Sequence, residues 1–300
     1  GEIVAPRSYT TAYTRLEKVQ PGPFDAIPGL ITAVPLDICR DYYGVALDED
    51  ERQTFAYAAI ELSGHLFGAP PIEPTPAGRE DDAGAYLRAI VDRSIDRELA
   101  APSGSGTIIA RLARRPGCDK PTIRSILIGM IVGFVPTNTM AGGHILEMLL
   151  RKRPMLNAAR FAAESGDDDR LRHCLFEALR YMPINLGPFR ICSRDYTVAP
   201  ETPRAAKLRK DTKVLAMTSS AMFDSRHVLQ PFRFDPARPA SNHMHFGFGM
   251  HWCAGVMVAR AQITQTFKAL LVARDKVERA PGRRGKLALW GLFPDHLHIA

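Results

Sequence analysis

The eleven residues His245-Phe246-Gly247-Phe248-Gly249-Met250-His251-Trp252-Cys253-Ala254-Gly255 constrain this chain more than any others. They form a glycine-punctuated loop that ends in a cysteine and runs at once into the apolar, helix-forming stretch Val256 to Ile263. Gly247 and Gly249 admit backbone conformations closed to other residues and let the main chain approach a flat ligand. Cys253 stands where the loop becomes a helix. There the free amide groups and the helix dipole favour an anion, so a thiolate is stabilised.

Three readings of Cys253 follow. As a thiolate on a rigid loop, with His251 two residues before it, it suits an axial ligand to haem iron. As an ordinary free cysteine it is a buried small hydrophobe. With His243, His245 and His251 it makes four zinc-type ligands within eleven residues, although their spacing lacks the paired knuckles of a structural zinc site.

The pattern Phe246-x-x-Gly249-x-His251-x-Cys253-x-Gly255 resembles the cysteine-ligand loop of the cytochromes P450. The resemblance implies haem b with Cys253 as the proximal iron ligand, the thiolate type that favours O–O cleavage. It implies further that His251 meets a haem propionate and that Phe246, Gly247 and Gly255 shape the cofactor loop. Glu177-Ala178-Leu179-Arg180 places an acid and a base on one helical face, among the apolar Cys174, Leu175, Ala178 and Leu179. Alone, that spacing is common on solvated helices. In the family such a pair, with an arginine from the irregular segment ahead of the cysteine, braces the loop. Arg233, in Pro231-Phe232-Arg233-Phe234-Asp235-Pro236, stands at that position. Arg190 begins the next strand, where the family often sets an arginine on a propionate. A planar guanidinium suits that carboxylate, and without the resemblance Arg190 is a strand-edge residue.

Thr122 to Leu150 is the longest helical candidate, apolar nearly all round, and is expected to thread the core. Pro136 should kink or locally open it. Oxygen-activating members of the family carry here a small residue and Gly, then an acid followed by Thr, to relay protons. This chain reads Val132-Gly133-Phe134-Val135-Pro136-Thr137-Asn138-Thr139. Anchoring on Gly133 puts Val135-Pro136 at the acid–alcohol positions; anchoring on Pro154 gives Thr137-Asn138. Neither register has a carboxylate. Thr137, Asn138 and Thr139 are the candidates to hold a water on this side; the alternative is that such side chains bond back to the preceding turn. A proline here is similar to peroxide-using members, but those that bind fatty acids precede it with arginine, where this chain has Val135. The resemblance thus implies oxidation of a small hydrophobic organic substrate, by monooxygenation or with peroxide. Hydroperoxide rearrangement and a non-catalytic haem-binding or partner module are the alternatives.

The fold expected is mainly α with a small β portion, a cytochrome P450 fold shortened at its N-terminus. The 300 residues, 46% hydrophobic, suffice for a sizeable core and are read as one haem domain. The resemblance runs from about Pro35, and residues 1–34 match it poorly, so the chain is read as a natural short form, a fragment or the remainder of a fusion, with the distal face of the haem either open or covered by a fused or associated domain. The net charge of +7 lies in scattered clusters such as Arg151-Lys152-Arg153, without interleaved aromatics, which argues against nucleic acid. The clusters are read as ordinary solvated faces, with docking of an acidic partner such as an electron-transfer protein as the alternative. No membrane span is expected, because the apolar run Ile126 to Val135 is short and broken by Gly129 and Gly133. Five cysteines without paired spacing fit a reducing, cytoplasmic setting.

Along the chain, helices are expected near Thr10 to Lys18, from Pro35 to Tyr43 with Gly44 as cap, and from Asp48 to Phe67 behind an acidic first turn. After a Pro-rich connection over 68–84 come helices at Ala85 to Leu99, after Gly104, from an Asp119 cap, from Pro154 and at Asp167 to Tyr181. Strands are expected at Arg190 to Val198 and Lys213 to Met217, an irregular run at 231–239, a helix at Val256 to Arg274, and strands at 286–289 and 296–300.

Overall fold

The computed structural model describes residues 2–67 and 78–300. In chain order these form α1 (Val4–Glu17), β1 (Phe24–Asp25), α2 (Ala33–Ile38), α3 (Arg52–Phe67), α4 (Arg79–Ala100), α5 (Ile108–Ala113), α6 (Lys120–Arg151), α7 (Arg153–Glu164) and α8 (Asp168–Arg180). Then come β2 (Phe189–Ile191), β3 (Tyr196–Val198), β4 (Ala206–Leu208), β5 (Lys213–Leu215), α9 (Thr218–Ala221), α10 (Val256–Ala273), β6 (Ala288–Trp290), β7 (Phe293–His296) and β8 (His298–Ile299). The architecture is mainly α with small two-stranded sheets, as expected. Most of the Pro-rich connection, 68–77, lies outside the described residues.

Helix starts follow their caps. Asp119 accepts from the Thr122 amide at 2.9 Å ahead of Pro121, Asp167 from the Arg170 amide at 2.9 Å, and Thr107 from the Ala110 amide at 3.3 Å, each satisfying a donor the helix cannot. Asp48 and Glu51 form a reciprocal capping box before α3. Gly44 ends its segment at φ 89° with its amide on the Cys39 carbonyl, a left-handed cap that glycine reaches without strain.

Two expectations change at the N-terminal end. α1 begins at Val4 rather than near Thr10, because Val4, Ser8, Ala12 and Leu16 bury one stripe at four-residue spacing. The middle of that stripe is Ser8 and Ala12, one polar and one small, so the apolar periodicity understated it; α1 packs along α10. β1 pairs antiparallel with β8, Phe24 opposite Ile299. Two residues are too few to carry a strand pattern. The strand expected over Arg190 to Val198 is two strands: β2 pairs with β5 and β3 with β4, separated by a turn at Cys192 to Asp195.

α6 belongs to two cores. Its first half, Ile123 to Val135, joins α3, α4 and the end of α2; its second half, Ala141 to Leu149, joins α1, α7, α8 and α10. It remains helical through Pro136. The opening is confined to the Val132 carbonyl, which loses its donor because proline has no N–H. Among the described residues α6 alone is long and apolar enough to cross a membrane, but 67% of that apolar stretch is buried inside the fold, as a core helix is. Gly142 and Gly143 permit close approach: a Cβ on Gly142 would stand 2.6 Å from an Ile31 methyl, and one on Gly143 2.6 Å from Pro294.

Candidate functional site

The cysteine loop is built from its own backbone. The Cys253 amide donates to the Phe246 carbonyl at 2.8 Å, and the Trp252 amide to the Gly249 carbonyl at 3.0 Å. The turn needs φ of 73° at Gly247 and 65° at Gly249, values that glycine adopts freely and other residues resist. Gly255 leads into α10, and a Cβ there would lie 3.7 Å from Cys253 Sγ. Cys253 and His251 are exposed, as are Phe248, Met250 and Trp252, Met250 at 93%. Phe246 instead turns inward: its ring lies 5.6 Å from that of Phe176 on α8, beneath Arg260.

Behind the loop sits a buried charge network. Glu177 and Arg180 on α8 are both 0% exposed and paired at 2.8 and 3.1 Å. The arginine that completes the network is Arg238, not Arg233. Arg238 Nε reaches both Glu177 oxygens at 3.1 and 3.2 Å, and its other nitrogens donate to the carbonyls of Leu229, Gln230 and Arg233. Arg233 is exposed, and among the described residues its side chain hydrogen-bonds only Gln230. The reason is a local turn. Asp235 Oδ1 accepts from the Ala237 amide and the Asp235 carbonyl from the Arg238 amide, which carries Arg238 inward, while Arg233 contributes only its carbonyl.

His243 Nε2 stands 2.8 Å from Glu177 Oε2, and the Asp235 amide donates to Oε1 at 3.2 Å. Burial pushes the Glu177 pKa up, but hydrogen bonds from His243 and Arg180 and the Arg180 charge outweigh it and bring it down to about 2. His245 stacks on His243 and its Nε2–H donates to the Phe176 carbonyl at 2.9 Å. Burial, then the neighbouring His243, holds its pKa down at about 3, so the ring is neutral and makes one donated bond. These contacts oppose the zinc alternative, since both histidines are spent on α8. Among the described residues no cluster of His, Cys, Asp or Glu is arranged to hold a metal ion. His243 and Arg238 escaped the sequence reading. The signal was present in the Asp235-Pro236-x-Arg238 turn, five residues before His243.

On α6 the exposed face runs through Ile126, Gly129, Gly133 and the half-buried Thr137. Cβ atoms on Gly129 or Gly133 would meet nothing within 4 Å. Of the three water-holding candidates, only Thr137 shares this face with Gly133, and its hydroxyl donates to the Gly133 carbonyl at 2.6 Å. Asn138 is buried at 3%, with its amide on the Phe134 carbonyl, and Thr139 at 1%, bonded to Thr32. The reason is helical phase: one and two residues past Thr137, the side chains have rotated about 100° and 200° into the cores. Arg190 is exposed on β2 and, among the described residues, its guanidinium meets only the Phe189 carbonyl. Neither it nor His251 pairs with a described carboxylate.

These residues fit a haem. The exposed thiol stands on a loop kept open by glycines, the loop's outer side chains are apolar, two basic side chains have no acid partner among the described residues, and a helix face is bared by two glycines. The comparisons agree. The Cytochrome P450 family model matches residues 170–278, a span holding the brace and the loop. Cytochrome P450 CYP199A2 of Rhodopseudomonas palustris is 29% identical over 90% of this chain and 62% of its own length. Mycinamicin IV hydroxylase/epoxidase of Micromonospora griseorubida is 22% identical over 95% and 67%. The chain therefore spans about two thirds of the length of these relatives. The solved structure of Mycobacterium smegmatis CYP164A2 with econazole superposes with a TM-score of 0.80 at 21% identity, covering 100% of this chain and 73% of that one. Family model and relatives agree in one likeness: across the span that holds the brace and the loop the chain is similar to the cytochromes P450, and the solved structures show that it shares their fold.

Proposed function

We propose that this chain is a haem-thiolate oxidoreductase that oxidises a small hydrophobic organic molecule, with Cys253 as the iron ligand. The observation that carries this is the exposed Cys253 on a glycine-turned loop anchored, through His243, Arg238 and Glu177, to the buried face of α8. Haem, when bound, supplies activation of an O–O bond, and a thiolate ligand favours its cleavage. The protein's part is to hold and orient. Gly247 and Gly249 would let the loop backbone lie close to the ring, and His251 and Arg190 would be the residues to answer its carboxylates. Gly129 and Gly133 leave room above α6 for an apolar substrate. The Thr137 proton is committed to the Gly133 carbonyl, so its hydroxyl oxygen offers lone pairs to a water or substrate hydroxyl.

The relatives are named as a hydroxylase/epoxidase, an N-oxygenase and a pentalenic acid synthase, which supports monooxygenation with an electron-transfer protein as partner. A second reading, with peroxide or a substrate hydroperoxide as oxidant, is favoured by the bared face of α6. No carboxylate stands on it from Gly129 to Thr137, where a proton relay would need one. A reducing, cytoplasmic setting accords with the five free cysteines.

The test is the absorption spectrum of the reduced, carbon-monoxide-treated protein. Wild type should show the strong red shift of a thiolate-ligated haem and Cys253→Ala should lose it. A wild type that takes up no haem when supplied with it refutes the assignment. Turnover with hydroperoxide but none with dioxygen and a reductase selects the second reading.

A further inference from the structure

Helices α6 and α10 cross where residues 138–142 of one meet residues 262–267 of the other, and a cavity of about 10 Å³ lies at the crossing. Asn138, Gly142, Gln262, Ile263 and Thr266 are among its walls. Asn138 and Gln262 are 3% and 2% exposed. Their amide nitrogens are spoken for: Asn138 Nδ2 donates to the Phe134 carbonyl at 2.8 Å and Gln262 Nε2 to Thr266 Oγ1 at 2.9 Å. Asn138 Oδ1 and Gln262 Oε1 accept from no described residue.

A buried carbonyl without a donor carries its full desolvation penalty. Two such acceptors on one small cavity call for a single group with two donor hydrogens. Water is that group, and a space of this size holds one molecule. A monovalent cation would want more than the two amide oxygens and the Thr266 hydroxyl available here. We propose that the α6–α10 crossing is a binding site for one buried water, which donates to Asn138 Oδ1 and Gln262 Oε1 at once. The water is then a polar tie between the helix that carries Thr137 and the helix that begins behind Cys253. Val256 lies six residues from Gln262, roughly 9 Å along the helix axis. The tie depends on packing alone and holds whichever oxidant the protein uses.

A crystal structure of the full chain tests this directly. The expected result is one isolated density peak about 2.7–3.2 Å from both oxygens. Three variants test it in solution: Asn138→Leu, Gln262→Met, and both together. Each single change strands the water and the opposite carbonyl and should lower the unfolding midpoint by about 2–4 °C. The double change removes both acceptors, so its loss should be clearly smaller than the sum of the two single losses. Absent density, a peak with contacts short enough for a cation, a Gln262 amide turned to donate directly to Asn138 Oδ1, or additive losses in the double variant would each overturn the proposal. If the variants do not fold, the crystal structure decides alone.

Discussion

Replacing Arg238 by methionine should damage this protein far more than the same change at Arg233. Arg238 is 4% exposed and its guanidinium serves Glu177 and three main-chain carbonyls, with contacts between 2.9 and 3.3 Å. Methionine keeps much of the volume but removes every donor. Glu177 retains Arg180 and His243, yet the carbonyls of Leu229, Gln230 and Arg233 lose a shared partner. Breaking a buried ion pair from one side costs about 3–5 kcal/mol. At ~2 °C per kcal/mol for a chain of this size, the midpoint should fall by roughly 6–10 °C. Arg233→Met removes one exposed contact, to Gln230, and should stay within about 0.5 kcal/mol. Thermal unfolding followed by far-ultraviolet circular dichroism measures both, and haem retention after gel filtration reports on the loop. Equal losses in the two variants, or a larger loss at Arg233, would refute the assignment of Arg238 to the brace.

Two further predictions concern pH. The Glu177 pKa is depressed in the fold, from 4.5 to about 2, so its contribution is present above the unfolded value and disappears as pH falls through the folded one. The shift corresponds to about 3 kcal/mol. Glu177→Gln should flatten the stability profile between about pH 4.5 and 2, and an unchanged profile counts against the network. His296 is the opposite case. Its pKa is raised first by the hydrogen bond to Asp25, against a smaller lowering by burial, with the charges of Asp25 and Asp295 adding to the rise. Its stabilisation is therefore present below the unfolded histidine range and is lost as pH rises through the elevated folded value. In Asp25→Asn, proton NMR should find the His296 titration moved down towards an ordinary histidine; no movement removes Asp25 as the cause.

The cysteine loop was legible because its chemistry demands particular residue types at fixed spacing, and no tertiary contact is needed to see Gly249, His251, Cys253 and Gly255 in register. Glu177 and Arg180 were legible for the same reason, lying three apart on one helix. Arg238 was not. Two arginines stand five residues apart in an irregular segment, and only the Asp235 turn decides which one enters the core. The phase of α6 was available but unused: Gly133 and Thr137 are four apart and share a face, whereas Asn138 and Thr139 do not. α1 was misplaced because its buried stripe of Val4, Ser8, Ala12 and Leu16 gains its meaning from α10, over two hundred residues away in sequence. β1 and β4 are short enough that pairing partners, not composition, define them.

The glycine pair on α6 has a consequence for synthesis order. Gly142 receives Ile31 and Gly143 receives Pro294 against the same turn of helix, and β1 pairs with β8 across almost the whole sequence. The central helix therefore cannot finish its packing until residue 294 has left the ribosome, because the wedge that fills its second groove does not yet exist. Contacts this far apart in sequence make folding slow. During that interval the groove beside Gly143 stays open on the nascent chain, a place where chaperones or aggregation compete with Pro294.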